Sequence, residues 1–83
     1  MLRTDIERDI RSFVVQHFLS GNPNKLRADG SLLGDVIDSS GVIALVMYLQ
    51  EHFEITVEDE EVVPSNLDTI GHLAAFIEKK LGA

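Results

Sequence analysis

Asp38-Ser39-Ser40-Gly41-Val42-Ile43-Ala44-Leu45-Val46-Met47-Tyr48-Leu49-Gln50-Glu51-His52-Phe53 is the stretch that decides the fold. Val42, Leu45, Val46, Leu49 and Phe53 recur at helical spacing and form one apolar stripe. Asp38 is a good N-cap, and Ser39 and Ser40 are suited to the same position, because a short side chain there offers an oxygen to an orphaned backbone N–H. The helix is therefore expected to begin at Asp38 or Ser39. Gly41 weakens its start by about 0.5–1 kcal/mol relative to Ala. Ile43 and Met47 widen the apolar face beyond what one core contact needs. Two uses stay open for them: a broad core face, or an exposed apolar spot for a partner, to which Met lends adaptable contact.

Working outward towards the N-terminus, residues 25–38 lack a clean period. Leu26, Leu32, Leu33, Val36 and Ile37 are scattered among Asp29-Gly30-Ser31 and Gly34-Asp35. This predicts a long loop whose apolar residues plug into the core, a feature uncommon in small domains and often functional. Before it, Thr4-x-x-Glu7 is a capping-box pattern, and Ile6, Ile10, Phe13, Val14 and Phe18 form a second helical stripe. The turn formers Gly21-Asn22-Pro23-Asn24 end that helix.

Towards the C-terminus, Ile55-Thr56-Val57 reads as an extended linker anchored by its two aliphatic residues. Glu58-Asp59-Glu60-Glu61 suits a helix N-terminus, and Pro64 is expected to limit that element to a turn or two. The last helix should start near Asp68 or Thr69 and bury Ile70, Leu73, Ala74, Ile77 and Leu81. Lys79 and Lys80 fall at its C-terminal end, followed by Gly82 as a stop. The expected fold is all-α: a single domain over residues 1–83, built as a small four-helix bundle. It has three longer helices, one short helix, and a long loop between the first and second helices.

The chain has 83 residues with 14 acids against 7 Lys plus Arg, a formal net charge of −7. That disfavours nucleic acid as a partner, which needs a basic surface to displace counterions, and favours basic protein surfaces. The charge is uneven: residues 35–78 hold ten acids and no Lys or Arg. Such a stretch cannot neutralise itself by local ion pairs, so it serves either as a solubilising surface or as a docking face. The absence of cysteine removes disulfides, thiolate–metal sites and a Cys nucleophile, and is compatible with a reducing cytoplasm. No apolar run approaches the roughly 18–20 residues of a membrane span, so no membrane insertion is expected. The start, Met1-Leu2-Arg3-Thr4-Asp5, carries charges where a signal peptide would have its apolar core.

Catalytic and metal motifs are not evident. His17, His52 and His72 lack ligand partners at i, i+4 spacing, and counting an EF-hand from Asp29 places Ser40 where its Glu should stand. A Ser–His–Asp hydrolase is open on residue types, but so small a bundle has little volume for a water-excluding pocket. The segment that stands out is Ile37-Asp38-Ser39-Ser40-Gly41, which puts a hydroxyl on the first turn of the central helix directly after a loop. A phosphate attached there is stabilised by the unpaired N–H groups of that turn. Asp38 is a poor neighbour for an anion unless it recruits a cationic enzyme. The residues also serve simply as caps.

Over nearly its whole length the sequence resembles the acyl carrier proteins of the phosphopantetheine-binding carrier family. Asp38-Ser39 matches the family's Asp-Ser signature at the start of helix II. Leu45-Val46-Met47 and Leu49 match that helix, Phe53 matches its closing aromatic, and Ile55 to Glu61 match the entry to the short third helix. Pro64-Ser65-Asn66-Leu67-Asp68-Thr69-Ile70 resembles the entry to the last helix in stand-alone carriers. Ser40, Gly41 and Ala44, the longer loop Leu33-Gly34-Asp35-Val36-Ile37 before Asp-Ser and the longer segment before the last helix resemble dedicated carriers of specialised pathways. The resemblance implies a monomeric, cytoplasmic carrier rather than an enzyme. Ser39 would be esterified by a 4′-phosphopantetheine arm from coenzyme A, delivered by a phosphopantetheinyl transferase that uses Mg2+ only during attachment. The terminal thiol would then carry an acyl or aminoacyl group as a thioester to loading and synthase enzymes with basic docking patches. Asp38 would dock the transferase. Ile43, Met47, Glu51, Glu54, Glu58, Glu60 and Glu61 would face partners. Ser40 is the rival attachment residue, and Ser39 is preferred because it directly follows Asp38. The alternative from a different class is an unmodified helical adaptor that binds proteins through the same acidic and apolar face.

Overall fold

The stripes coil as their spacing predicts, into α1 (Arg3–Phe18), α2 (Ser39–Phe53) and α4 (Ile70–Lys80), with a short α3 (Pro64–Leu67) between the last two. The structure, a computed structural model, describes residues 2–26, 30–34 and 36–82. Met1, Arg27, Ala28, Asp29, Asp35 and Ala83 lie outside the described residues, so the Asp29 and Asp35 portions of the expected loop do too. Among the described residues the only β pairing is an isolated bridge between Leu33 and Ile37. The all-α expectation, three longer helices and one short, therefore holds.

One core joins every element. Ile6, Ile10 and Val14 of α1, Leu45 and Leu49 of α2, and Leu73, Ala74 and Ile77 of α4 are fully buried. Each large aliphatic side chain so placed contributes roughly 1.5–3 kcal/mol relative to exposure. The loop between α1 and α2 adds Leu26, Leu32 and Ile37 as buried plugs, as its scattered apolar residues predict. α1 and α2 are also joined by aromatic rings: Phe13 stacks on Tyr48 with centroids 4.0 Å apart, and Tyr48 stacks on His52 at 5.0 Å. The Tyr48 hydroxyl donates to the Asp9 carbonyl at 3.1 Å, and His52 Nε2 lies 3.1 Å from Asp9 Oδ2. Burial, with the Asp9 charge adding to it, pushes the Tyr48 phenol up to about 12.

Three local expectations are corrected. The Thr4–Glu7 capping box does not form: α1 begins two residues earlier than that box would place it, with Leu2 as N-cap and no side-chain cap bond. Arg3 explains this. Its Nε holds the Glu7 carboxylate at 3.3 Å, while Nη2 donates to the Gly71 carbonyl of α4 at 3.1 Å, so a tertiary anchor replaces the local cap. The acidic element stops after one turn, within the length expected before Pro64, but Pro64 also begins a separate α3, where its missing N–H costs nothing. The acids Asp59–Glu61 form a separate 3-10 turn, closed by a reciprocal capping box between Glu58 and Glu61. Leu81 is not core but 41% exposed, and Phe76 is buried instead. Leu81 lies just past the last helical residue, as the C-cap.

The linker and last helix otherwise follow the sequence. Val57 is buried, and its N–H donates to Gln50 Oε1 at 2.9 Å. The Thr69 side chain caps α4 by accepting from His72 N–H at 3.0 Å.

Candidate functional site

Gly41 decides how α2 is seated. A Cβ at this position would lie 2.8 Å from Phe18 Cε1 and 3.0 Å from Ile37 Cγ2. The residue that lowers helix propensity is therefore the one that lets the first turn of α2 close onto the end of α1 and the incoming loop. Just before it, the Asp38 side chain is the N-cap. Its Oδ1 accepts from Gly41 N–H at 2.8 Å and from Ser40 Oγ–H at 3.1 Å. The Gly41 bond first, and then the Ser40 hydroxyl, hold this carboxyl below the usual carboxylate range, so it stays ionised at neutral pH.

Ser39 is the first residue of α2 and is exposed. Among the described residues its Oγ has no hydrogen-bond partner, whereas the neighbouring Ser40 hydroxyl is committed to Asp38. The two serines thus differ chemically although they are adjacent and both exposed. Four and eight residues on from Ser39 stand Ile43 and Met47, 64% and 54% exposed. The alternative left open by the sequence is resolved: both face solvent, because Leu45, Leu49 and Phe53 already fill the core side of α2. Ser39, Ile43, Met47 and Glu51 fall in one i, i+4 row, an outward ridge about 18 Å long at 1.5 Å per residue.

A shallow apolar groove runs beside this ridge. Val42, Ile43, Val46 and Met47 of α2 face Asp59 and Val62 across a volume of about 310 Å3. Val62 does not stand out in the sequence, and Asp59 does so only as one acid of the run Glu58-Asp59-Glu60-Glu61. The Glu61-Val62-Val63-Pro64 run showed an apolar pair beside a helix start, but nothing local told which element it would meet.

The acids divide. Glu51, Glu54, Glu58 and Glu60 are exposed, with Glu54 just past α2 in a left-handed conformation at φ 55°. Glu61 is turned inward: its Oε1 accepts from Lys80 Nζ at 2.7 Å and from Glu58 N–H at 2.9 Å. The Lys80 bond, foremost, holds the Glu61 carboxyl below the usual range. Its charge is thus partly neutralised by a residue from α4.

A helical bundle that leaves a serine hydroxyl bare at the head of its second helix, with an apolar ridge behind it, has the form of a carrier. The chain is 35% identical over 83 residues to an acyl carrier protein of Akkermansia muciniphila, with 99% of this chain and 100% of that one covered. It is 31% identical over 81 residues to an acyl carrier protein of Phenylobacterium zucineum, with coverage of 96% and 99%. The solution NMR structure of a holo acyl carrier protein from Nitrosomonas europaea matches it with a TM-score of 0.71 at 32% identity, over 100% of both chains. No protein-family model matches the sequence.

The chain belongs to the acyl carrier protein family. It is a carrier and not an enzyme, and it bears acyl intermediates on a 4′-phosphopantetheine prosthetic group whose terminal thiol takes them as thioesters. That role entails contact with synthase enzymes and with a phosphopantetheinyl transferase. Among the described residues, no helix is long and apolar enough to cross a membrane.

Proposed function

We propose that Ser39 is the residue that carries the phosphopantetheine arm, in a single cytoplasmic, monomeric carrier domain. The observation behind this is the contrast between the two serines: Ser39 Oγ is exposed and without a partner among the described residues, while Ser40 Oγ donates to Asp38. The arm's phosphate would sit at the first turn of α2, where backbone N–H groups favour an anion. Asp38 has a double role in this reading. It caps α2 through Oδ1, fixing the backbone that presents Ser39, and its retained negative charge attracts the cationic surface of the transferase.

Enzymes that load or elongate the acyl group would dock on the ridge of Ile43 and Met47. The exposed acids Glu51, Glu54, Glu58 and Glu60 would steer basic surfaces towards it. Glu61 would contribute least of these acids, since Lys80 already holds its carboxylate. The groove between α2 and Val62 would receive apolar parts of the arm or cargo.

Intact-mass measurement after incubation of the apo protein with a phosphopantetheinyl transferase, Mg2+ and coenzyme A tests the assignment. One arm should be gained by the native chain and by Ser40→Ala, and none by Ser39→Ala. Gain by Ser39→Ala with loss in Ser40→Ala would reverse it.

A further inference from the structure

We infer that Asp68, at the junction of α3 and α4, is the positioning residue that holds the loop leading to Ser39 in the form the transferase recognises. This deepens the reading of Ser39 as the attachment point and rests on it. Asp68 lies 29 positions beyond Ser39 in the sequence, yet three bonds tie the loop that precedes Ser39 to it. Its Oδ1 accepts from Ser31 Oγ–H at 2.6 Å and from Leu33 N–H at 3.1 Å, and its backbone carbonyl accepts from Leu32 N–H at 2.6 Å.

From that clamp, a chain of backbone bonds runs to the head of α2. The Leu32 carbonyl accepts from Val36 N–H at 3.0 Å and Ile37 N–H at 2.8 Å, and the Ile37 carbonyl accepts from Gly34 N–H at 2.9 Å. Ile37 is buried against the Gly41 turn, and the next residue is the Asp38 cap itself. The approach to Ser39 is thus built on three consecutive supports, of which only Asp68 lies outside the loop and α2. Its charge makes the two side-chain bonds stronger than neutral ones. Releasing them would leave Leu32 and Ile37 as plugs but free the backbone between them to sample other arrangements.

A loop that is correct only part of the time lowers apparent affinity for the transferase by the fraction correct and leaves the bound step unchanged. The effect of removing Asp68 should therefore fall on the KM for the carrier and not on kcat.

The test uses the full chain with transferase, Mg2+ and coenzyme A, together with amide hydrogen exchange followed by NMR. Asp68→Ala should speed exchange at Leu33 by about tenfold and raise the carrier's KM by a similar factor, with kcat within about twofold. Asp68→Asn keeps an acceptor and should restore most of both. Ser31→Ala, which loses one bond and covers the case that Asp68→Ala fails to fold, should raise KM by about two- to threefold. Asp5→Ala, equal in charge change but at a residue of α1 whose carboxylate pairs with Arg8 and makes none of the loop's bonds, should leave KM unmoved. Unaltered Leu33 exchange in Asp68→Ala, or faster exchange with KM unchanged, would overturn the inference. A kcat loss without a KM change would overturn it too. Failure of the native chain to accept an arm would instead defeat the Ser39 reading, and Leu33 exchange would still decide whether Asp68 holds the loop.

Discussion

Gly41 and Phe18 meet so closely that no side chain fits between them: a Cβ on residue 41 would stand 2.8 Å from Phe18 Cε1. α2 can therefore start where it does, with Ser39 outward, only because residue 41 has no side chain. Gly41→Ala gains up to about 1 kcal/mol in helix propensity but suffers overpacking of roughly 1–3 kcal/mol. The net expectation is a loss of about 1–2 kcal/mol, read by urea denaturation. The clash also shifts the α2 head, so loading by the transferase should slow. Unchanged or increased stability would show that the contact relaxes freely.

Ile43 and Met47 should separate docking from folding. Both are exposed, so Ile43→Ser and Met47→Ser should alter stability by no more than about 0.5 kcal/mol. Each should nonetheless raise the KM of the carrier for its partner enzymes several-fold, as loss of apolar contact at an interface does. Leu49→Ala, one face round the same helix and fully buried, should cost about 2–5 kcal/mol in denaturation. Equal kinetics for the two serine variants and the native chain would place the docking surface elsewhere.

Glu54 offers the opposite separation. It ends α2 with φ 55° and ψ 49°, a conformation that glycine adopts without strain. Glu54→Gly should stabilise the fold by about 0.5–1 kcal/mol, a rise of several degrees in Tm. If Glu54 also steers basic partners, the same variant should weaken their association, and more so at low salt. A more stable protein with unchanged salt dependence would remove Glu54 from the docking face.

Acid should loosen the molecule in a defined window. The carboxyls of Asp9 and Asp68 are held below their ordinary value, Asp9 first by the His52 hydrogen bond and Asp68 first by the Ser31 hydroxyl. A carboxyl lowered on folding contributes fully above its unfolded pKa of about 3.9 and loses that contribution as pH falls through the folded value. Asp9→Asn and Asp68→Asn should each be less stable than the native chain at pH 7, and the gap should close towards pH 3. A gap of the same size at both pH values would mean that the charge of these groups contributes nothing.

The helices were legible because burial follows period. Ile6, Ile10 and Val14, like Leu45 and Leu49, are core residues that their spacing already marks. Asp38 as a cap and Ser39 at the head of α2 were equally readable, since capping depends on residues within one turn. What the sequence hid are relationships set by partners far along the chain. The Thr4 cap fails because Arg3 reaches Gly71 and Glu78 on α4. Glu61 looked like one more exposed acid until Lys80 met it. Gly41 looked like a weakness because only the packed structure brings Phe18 and Ile37 against it. Whether Ile43 and Met47 faced core or solvent depended on how α2 rolls onto the bundle, which its own broad apolar face does not fix.

Everything proposed for α2 follows from which of its two adjacent serine oxygens carries the arm. Protein purified from its own cell, digested and sequenced by tandem mass spectrometry, answers this at single-residue resolution. A phosphopantetheine group on Ser39, with Ser40 unmodified, is the predicted result; the group on Ser40, or its absence in cells whose other carriers are fully loaded, would contradict it.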